Sequence, residues 1–356
     1  MPTHEAADTG LKQETSSSAR ERLSAAVSAA PQRPRSRLIY WLIALLLAGV
    51  LLYFSLRGIE WKAVGHILGR ADLRLVALVA AMVTAGLFLR AVRWRVLLQA
   101  QGHVDVSTAF WATAAGYFGN NFLPARAGEL VRTMMVSSRC GLGKMFVLTT
   151  ALSERLCDAI TLVVISSVVL LTLAVRPGWF DHAARPFAIL GLGAALAIAV
   201  LPKLEGLLRH LLGLLPISPT LRDKLRHAME QILIGIRSFH DPGRLLRFLS
   251  LTMVIWFGDA IGVMAGMKAL GMSVSFPLAL LLITGLGLGS ALPSTPGYVG
   301  IYQFVAVSVL TPFGFSRTDA IAYILLAQAL QYVVITFWGL IGFTRSRRIT
   351  PASVAA

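Results

Sequence analysis

Charge is scarce in this chain. Only 14% of its 356 residues are Asp, Glu, Lys or Arg, against about 25% in an average soluble domain, which excludes an ordinary soluble enzyme. Acidic residues are scarcer still, 17 against 33 Lys and Arg, for a formal net charge of +16. In a soluble protein that surplus would point to nucleic acid. Beside long apolar runs it is a topology signal instead, and no nucleic-acid partner is expected. Cysteine is nearly absent: Cys140 and Cys157 make neither a disulfide framework nor a zinc site. The seven histidines fall in predicted tail, loop or interfacial positions, no two at metal-ligand spacing. There is no Walker loop and no nucleophile–base arrangement. Neither a cofactor, nor a metal, nor a self-contained enzyme is expected.

What is abundant is apolar sequence, 56% of the chain. Residues 1–36 read as a disordered tail, rich in Ser, Ala, Thr, Glu and Arg without hydrophobic periodicity. Leu38–Leu56 is 19 residues without a charge, close to the ~20 that a spanning helix needs. Further spans are expected at Leu75–Leu89, Met145–Val175, Phe187–Leu201, Phe248–Met267 and Ala320–Thr344. Arg90, Arg93 and Arg95 around Trp94 look like an interface anchor closing the second of these. Asp259, alone in its span, reads as a buried hydrogen-bond partner or a proton carrier, and Gln328 and Gln331 as helix-packing residues.

Two segments do not fit single crossings. Val106–Ala125 is uncharged but holds Gly116, Gly119, Asn120, Asn121 and Pro124; Ala269–Ser316 runs 48 residues without a charge and holds Pro293, Pro296, Gly297 and Gly300. Both are expected to enter the membrane, break and return. With the amino terminus inside, the predicted cytoplasmic pieces (1–37, 90–105, 126–144, 203–247 and 345–356) carry 24 Lys and Arg, and the outer pieces carry 8. This excess places both termini in the cytoplasm. Residues 203–247 are basic, with Leu221, Leu225, Ile232, Ile236 and Phe239 at helical spacing. They read either as an amphipathic helix on the membrane surface or as a solvated loop helix.

Leu123-Pro124 and Gly128 align with Leu292-Pro293 and Gly297 at an offset of 169 residues. Each copy follows two spans and precedes another. The expected fold is therefore an all-α membrane protein of about six spanning helices plus two broken re-entrant hairpins in an inverted repeat. The first repeat covers about 38–175 and the second about 187–344, within a transmembrane domain of 37–344. In transporters such paired interrupted segments point to the substrate site.

The candidate site residues lie at those breaks and in one charged helix. Asn121, Arg126, Glu129 and Arg132 cluster after the first break. Arg126 and Arg132 either grip a phosphate, for which a guanidinium offers forked donors, or anchor at the headgroups. Glu129 is three residues from each and can orient one of them. Glu154, Arg155 and Asp158 interrupt an apolar helix, with the two carboxylates on one face. Ionisable groups at such depth normally face a partner or a cavity. Pro296, Gly297 and Gly300 break the second segment and let backbone approach a ligand, or simply make a tight turn.

Arg90-Ala91-Val92-Arg93-Trp94, the stretch Gly119 to Arg132, Glu154-Arg155-Leu156-Cys157-Asp158 and Pro296-Gly297-Tyr298-Val299-Gly300 together resemble the lysylphosphatidylglycerol synthase transmembrane-region family, also called flippase-like proteins. The resemblance runs from about residue 38 to 344. It implies a polytopic inner-membrane protein. In relatives of this kind the domain moves an aminoacylated phospholipid between leaflets, or handles lipid or polyprenyl phosphate beside a glycosyltransferase or synthase. The expected function is thus translocation or handling of an anionic phospholipid or polyprenyl-phosphate-linked lipid. The alternatives are a membrane transferase using a lipid-linked donor and a non-transporting scaffold. Many relatives carry Glu after the Pro-Gly-x-x-Gly turn, whereas the nearby residue here is Gln303, which counts against a proton-coupling role at that position. No aminoacyl-transferase domain follows Thr344, so lipid lysylation gains no support.

Overall fold

The computed structural model describes residues 34–122, 127–172, 204–214, 219–290 and 296–347, with isolated positions between 189 and 200. Residues 1–33 of the expected tail, most of the predicted span Phe187–Leu201, and Pro124, Arg126 and Pro293 lie outside the described residues, while 34–36 begin a helix.

The described elements are helical, as expected. They are α1 (Pro34–Leu56), α2 (Trp61–Gly69), α3 (Leu73–Leu98), α4 (Val106–Phe122), α5 (Gly128–Cys140), α6 (Lys144–Thr172), α7 (Glu205–Leu214), α8 (Pro219–Arg237), α9 (Pro242–Ala269), α10 (Phe276–Gly289), α11 (Ile301–Leu310) and α12 (Arg317–Arg347). A 3₁₀ turn, Pro296–Tyr298, precedes α11. Among the described residues, Leu73–Leu98, Pro242–Ala269 and Arg317–Arg345 are long and apolar enough to cross a membrane. Leu45–Leu56, Phe276–Gly289 and Ile301–Phe313 are shorter apolar helices.

Helix starts follow local chemistry. Asp72 caps α3, its carboxylate accepting the Arg74 N–H at 2.8 Å. Asp241 caps α9 in the same way, accepting from Arg244 at 2.9 Å, with Pro242 in the first turn. Both satisfy amides that a helix start otherwise leaves open. The two caps are 169 residues apart, and the helices they open correspond at that offset. So do α4 and α10, α5 and α11, and α6 and α12, within a few residues at each end. Packing partners correspond as well. The α4–α12 contact matches α10–α6, α3–α4 matches α9–α10, α5–α6 matches α11–α12, and α2–α12 matches α8–α6.

Helices α3 and α9 pack against each other, and they run antiparallel. The Asp72 N–H at the start of α3 donates to the Ala269 carbonyl at the end of α9 (2.8 Å). Further along, Gly266 lies beside Val79, Gly262 beside Met82 and Gly86 beside Asp259, and Arg93 reaches Thr252. Small residues at this crossing let the backbones approach, which matters where lipid supplies no hydrophobic drive between helices.

One sequence expectation is revised: the helix of the second predicted span does not end at Leu89. α3 continues to Leu98, with Arg90 and Arg93 paired to carboxylates and Arg95 donating to the Val104 carbonyl. The predicted cytoplasmic piece 126–144 contains helix α5, which packs back on α4. Gly128 makes that return possible, since a Cβ there would fall 1.9 Å from the Gly116 carbonyl oxygen. In α8, Ile236 is buried with the following Phe239, whereas Leu221 and Leu225 are exposed. The apolar stripe of α8 is therefore exposed at its start and buried at its end, and the helix packs on α6.

Candidate functional site

Four helices bring charge into the interior. Arg93 on α3 is 1% exposed. Its guanidinium meets Asp158 twice (Nη1 2.6 Å, Nη2 2.9 Å), Glu154 twice (Nε 3.2 Å, Nη2 2.9 Å) and the Thr252 hydroxyl (3.2 Å). Glu154 and Asp158 share a face of α6, one turn apart, so one arginine bridges both. The other oxygen of Glu154 accepts from Arg132 Nη1 at 3.0 Å, and Arg132 Nε donates to Glu129 at 2.5 Å. Glu129 accepts in turn from Arg155 Nε (3.2 Å) and from Asn120 (3.4 Å). Arg132 also lies over the Trp94 ring at 4.5 Å and Arg93 over Phe248 at 5.1 Å. A fourth arginine, Arg90, pairs with Asp259 of α9 at 2.5 Å.

Arg90, Arg93, Arg132 and Arg155 thus face Glu129, Glu154, Asp158 and Asp259, and the cluster is formally neutral. Buried charge is tolerated only when paired and hydrogen-bonded in this way. The four arginines are not equivalent. The side chains of Arg93 and Arg132 are 1% and 2% exposed, whereas those of Arg155 and Arg90 are 36% and 18% exposed.

That exposure is toward a cavity of about 230 Å³. Its lining includes Arg90, Arg93, Arg155, Asp158 and Asp259, with Tyr117, Asn120 and Asn121, and also Trp256, Tyr298, Tyr302, Gln328 and Gln331. Tyr298 comes from the Pro296–Tyr298 turn, which packs on α4. Gly297 has φ +72°, and a Cβ there would fall on the Tyr332 hydroxyl. Tyr298 follows at φ 62°, a left-handed conformation that costs a non-glycine residue roughly 1–3 kcal/mol. Gln303 holds the turn, its Oε1 accepting the Gly300 N–H at 2.8 Å and its Nε2 donating to Gln328 at 2.5 Å. Gln328 then donates to the Gly297 carbonyl at 3.2 Å.

The chain belongs to a known family. The model described as Lysylphosphatidylglycerol synthase TM region matches residues 41–339. Among curated proteins it is 26% identical over 344 residues to the UPF0104 membrane protein PH1989 of Pyrococcus horikoshii, covering 88% of this chain and 99% of that protein. It is 25% identical over 341 residues to Glycosyltransferase AglD of Haloferax volcanii, covering 85% of this chain but 54% of AglD. The chain therefore spans about half of AglD's length.

Of the residues singled out in the sequence, Asn121, Arg155 and Asp158 line the cavity. Glu129, Arg132 and Glu154 stand behind them, and the Pro296–Gly300 turn borders the cavity through Tyr298. Arg126 lies outside the described residues. Arg132 is held by two carboxylates in the interior instead of standing at a cytoplasmic headgroup surface. Arg90 and Arg93, read from sequence as interface anchors, are interior groups. Gln328 braces the turn in addition to packing. The lining residues Tyr117, Asn120, Trp256, Tyr298 and Tyr302 were not singled out as site residues, and the 169-residue offset, which does relate Arg90 to Asp259, points to none of them.

Proposed function

We propose that this membrane protein of the lysylphosphatidylglycerol synthase TM-region family handles, and moves between leaflets, an anionic phospholipid or a lipid carrying a polyprenyl phosphate. The observation that carries the reading is the exposure of Arg155 and Arg90 on the wall of an otherwise buried, charge-compensated cavity. Arg155 and Arg90 receive the phosphate, a guanidinium being suited to its oxygens. Arg132, Glu129 and Glu154 hold Arg155 and Arg93 in place, and Asp158 and Asp259 return the charge balance when the cavity is empty. The acyl or prenyl chains stay in lipid while the headgroup crosses.

The two halves of the domain act as an inverted repeat, with α3 and α9 as the paired central helices. Matching helix bounds, matching partners and the antiparallel α3–α9 contact support this arrangement, which is common in carriers that alternate access. Both termini lie in the cytoplasm of the cell in which the protein sits in the inner membrane, and a glycosyltransferase or synthase is a fitting partner. A second reading, a transferase using a lipid-linked donor, is favoured by the name of AglD alone.

The test is leaflet exchange in proteoliposomes with labelled phosphatidylglycerol and labelled polyprenyl phosphate. Arg155→Gln and Arg90→Gln are expected to slow exchange by at least about ten-fold, one decade being 1.4 kcal/mol. Wild-type rates in both variants refute the site. A covalent glycosylated product from purified protein would favour the transferase reading.

A further inference from the structure

The cavity lining is both charged and aromatic, and the proposed phosphate accounts only for the charged part. Among the lining residues, the rings of Tyr298 and Tyr302 stack with centroids 5.0 Å apart and 12° between planes. Trp256, also in the lining, stands under Arg90, 5.9 Å from its guanidinium carbon. Two donors here lack a partner among the described residues: Nδ2 of Asn121, a residue 8% exposed, and Nε1 of Trp256. Both residues line the cavity. A buried donor without a partner calls for an explanation, and a ligand is one.

The pattern of donors and acceptors narrows the ligand. Asn121 Nδ2 and Trp256 Nε1 need acceptors, while Asp158 and Asp259 retain lone pairs beyond those their arginines use. A bare phosphate only accepts, and would meet the two carboxylates unfavourably. An ammonium headgroup only donates, and would leave both nitrogens orphaned. A hydroxyl does both, so a polyhydroxylated ring satisfies donors and carboxylates together while its C–H face rests on the tyrosine rings. The volume agrees: about 230 Å³ exceeds what a phosphate fills and falls below the ~300–1,000 Å³ of sites for drug-sized ligands. The positive φ at Tyr298 fits the same purpose, because an unfavourable backbone is retained where it aims a side chain at a ligand.

We infer that the cavity takes a monosaccharide carried on the lipid phosphate, with the sugar against the Tyr298 and Tyr302 rings and within reach of Asn121 and Trp256, and the phosphate toward Arg155 and Arg90. This rests on the anionic-lipid reading above and specifies its headgroup.

The experiment is native mass spectrometry of the full chain in nanodiscs, titrated with a hexosyl-phosphoryl polyprenol, the same polyprenyl phosphate without the hexose, and phosphatidylglycerol. The hexosylated lipid is expected to bind at least about ten-fold more tightly than the bare phosphate. Tyr302→Ala and Asn121→Ala should each reduce that margin to about three-fold or less, with Tyr302→Phe retaining it and reporting on folding. Equal affinity for the hexosylated and bare lipids overturns the inference and leaves the lipid-phosphate reading standing. So does a margin that survives both substitutions. Absence of binding by all three lipids, or binding indifferent to Arg155→Gln, overturns both.

Discussion

Replacing Glu154 by Gln removes one charge and almost no volume. Glu154 is 2% exposed and lies between two guanidiniums, 2.9 Å from Arg93 and 3.0 Å from Arg132. The amide keeps one acceptor but turns an NH₂ donor toward an arginine donor. It also leaves four buried or half-buried arginines facing three carboxylates. Removing one partner of a buried ion pair costs roughly 3–5 kcal/mol. At about 2 °C per kcal/mol for a large domain, the unfolding midpoint should fall by roughly 6–10 °C. The assay is thermal unfolding of the purified protein in one fixed detergent, followed by fluorescence-detected size exclusion. Adding Arg132→Gln to Glu154→Gln restores neutrality. Groups in one network couple by about 0.5–3 kcal/mol, so the double variant should melt above the midpoint expected from adding the two single effects. A Glu154→Gln midpoint within about 1 °C of wild type, or strict additivity of the two changes, would refute the buried network.

Other outcomes follow from single features. Gly128→Ala drives a methyl into the Gly116 carbonyl oxygen and the Asn120 backbone; loss of monodisperse protein on size exclusion is expected, at a cost of several kcal/mol, on the order of 3 or more. Asp259→Asn should slow leaflet exchange by about ten-fold, and the charge swap Arg90→Asp with Asp259→Arg should recover part of that rate. Asp105, ahead of α4, accepts the Thr108 N–H at 2.7 Å, and that bond holds its carboxyl below the ordinary carboxylate value. A depressed value stabilises the fold above the ordinary carboxylate range and loses that contribution as pH falls through the folded-state value. Asp105→Ala should therefore lower stability by up to about 1 kcal/mol at pH 7, with the difference from wild type closing in strong acid, measured by denaturation at two pH values.

The long apolar runs were legible because a bilayer demands them. The helix ends at Phe122 and Gly289 were legible from the prolines that follow them in sequence, although Gly116, Gly119, Asn120 and Asn121 continue α4 instead of breaking it. Glu154 and Asp158 were legible as a pair needing buried partners because their apolar context makes two carboxylates one turn apart conspicuous. The extent of α3 was not. Arg90 and Arg93 look like the end of a span in any local window, and their neutralisers come from α6 and α9, more than sixty residues away. The same distance hid which arginines face the cavity. Arg132 and Arg155 have similar local surroundings in sequence, yet one has its guanidinium between two carboxylates and the other has only one.

The Arg90–Asp259 pair also bears on how such a chain arose. A two-fold dimer of identical subunits sets each surface patch against its own copy. A residue at the axis then meets itself, and like charges repel. Arg90 and Asp259 stand 169 positions apart, at matching places in α3 and α9, yet carry opposite signs. Only two separately encoded sequences can write a cation into one copy and an anion into the other. On the inverted-repeat reading proposed above, the Arg90–Asp259 pair is therefore younger than the duplication that made the two copies.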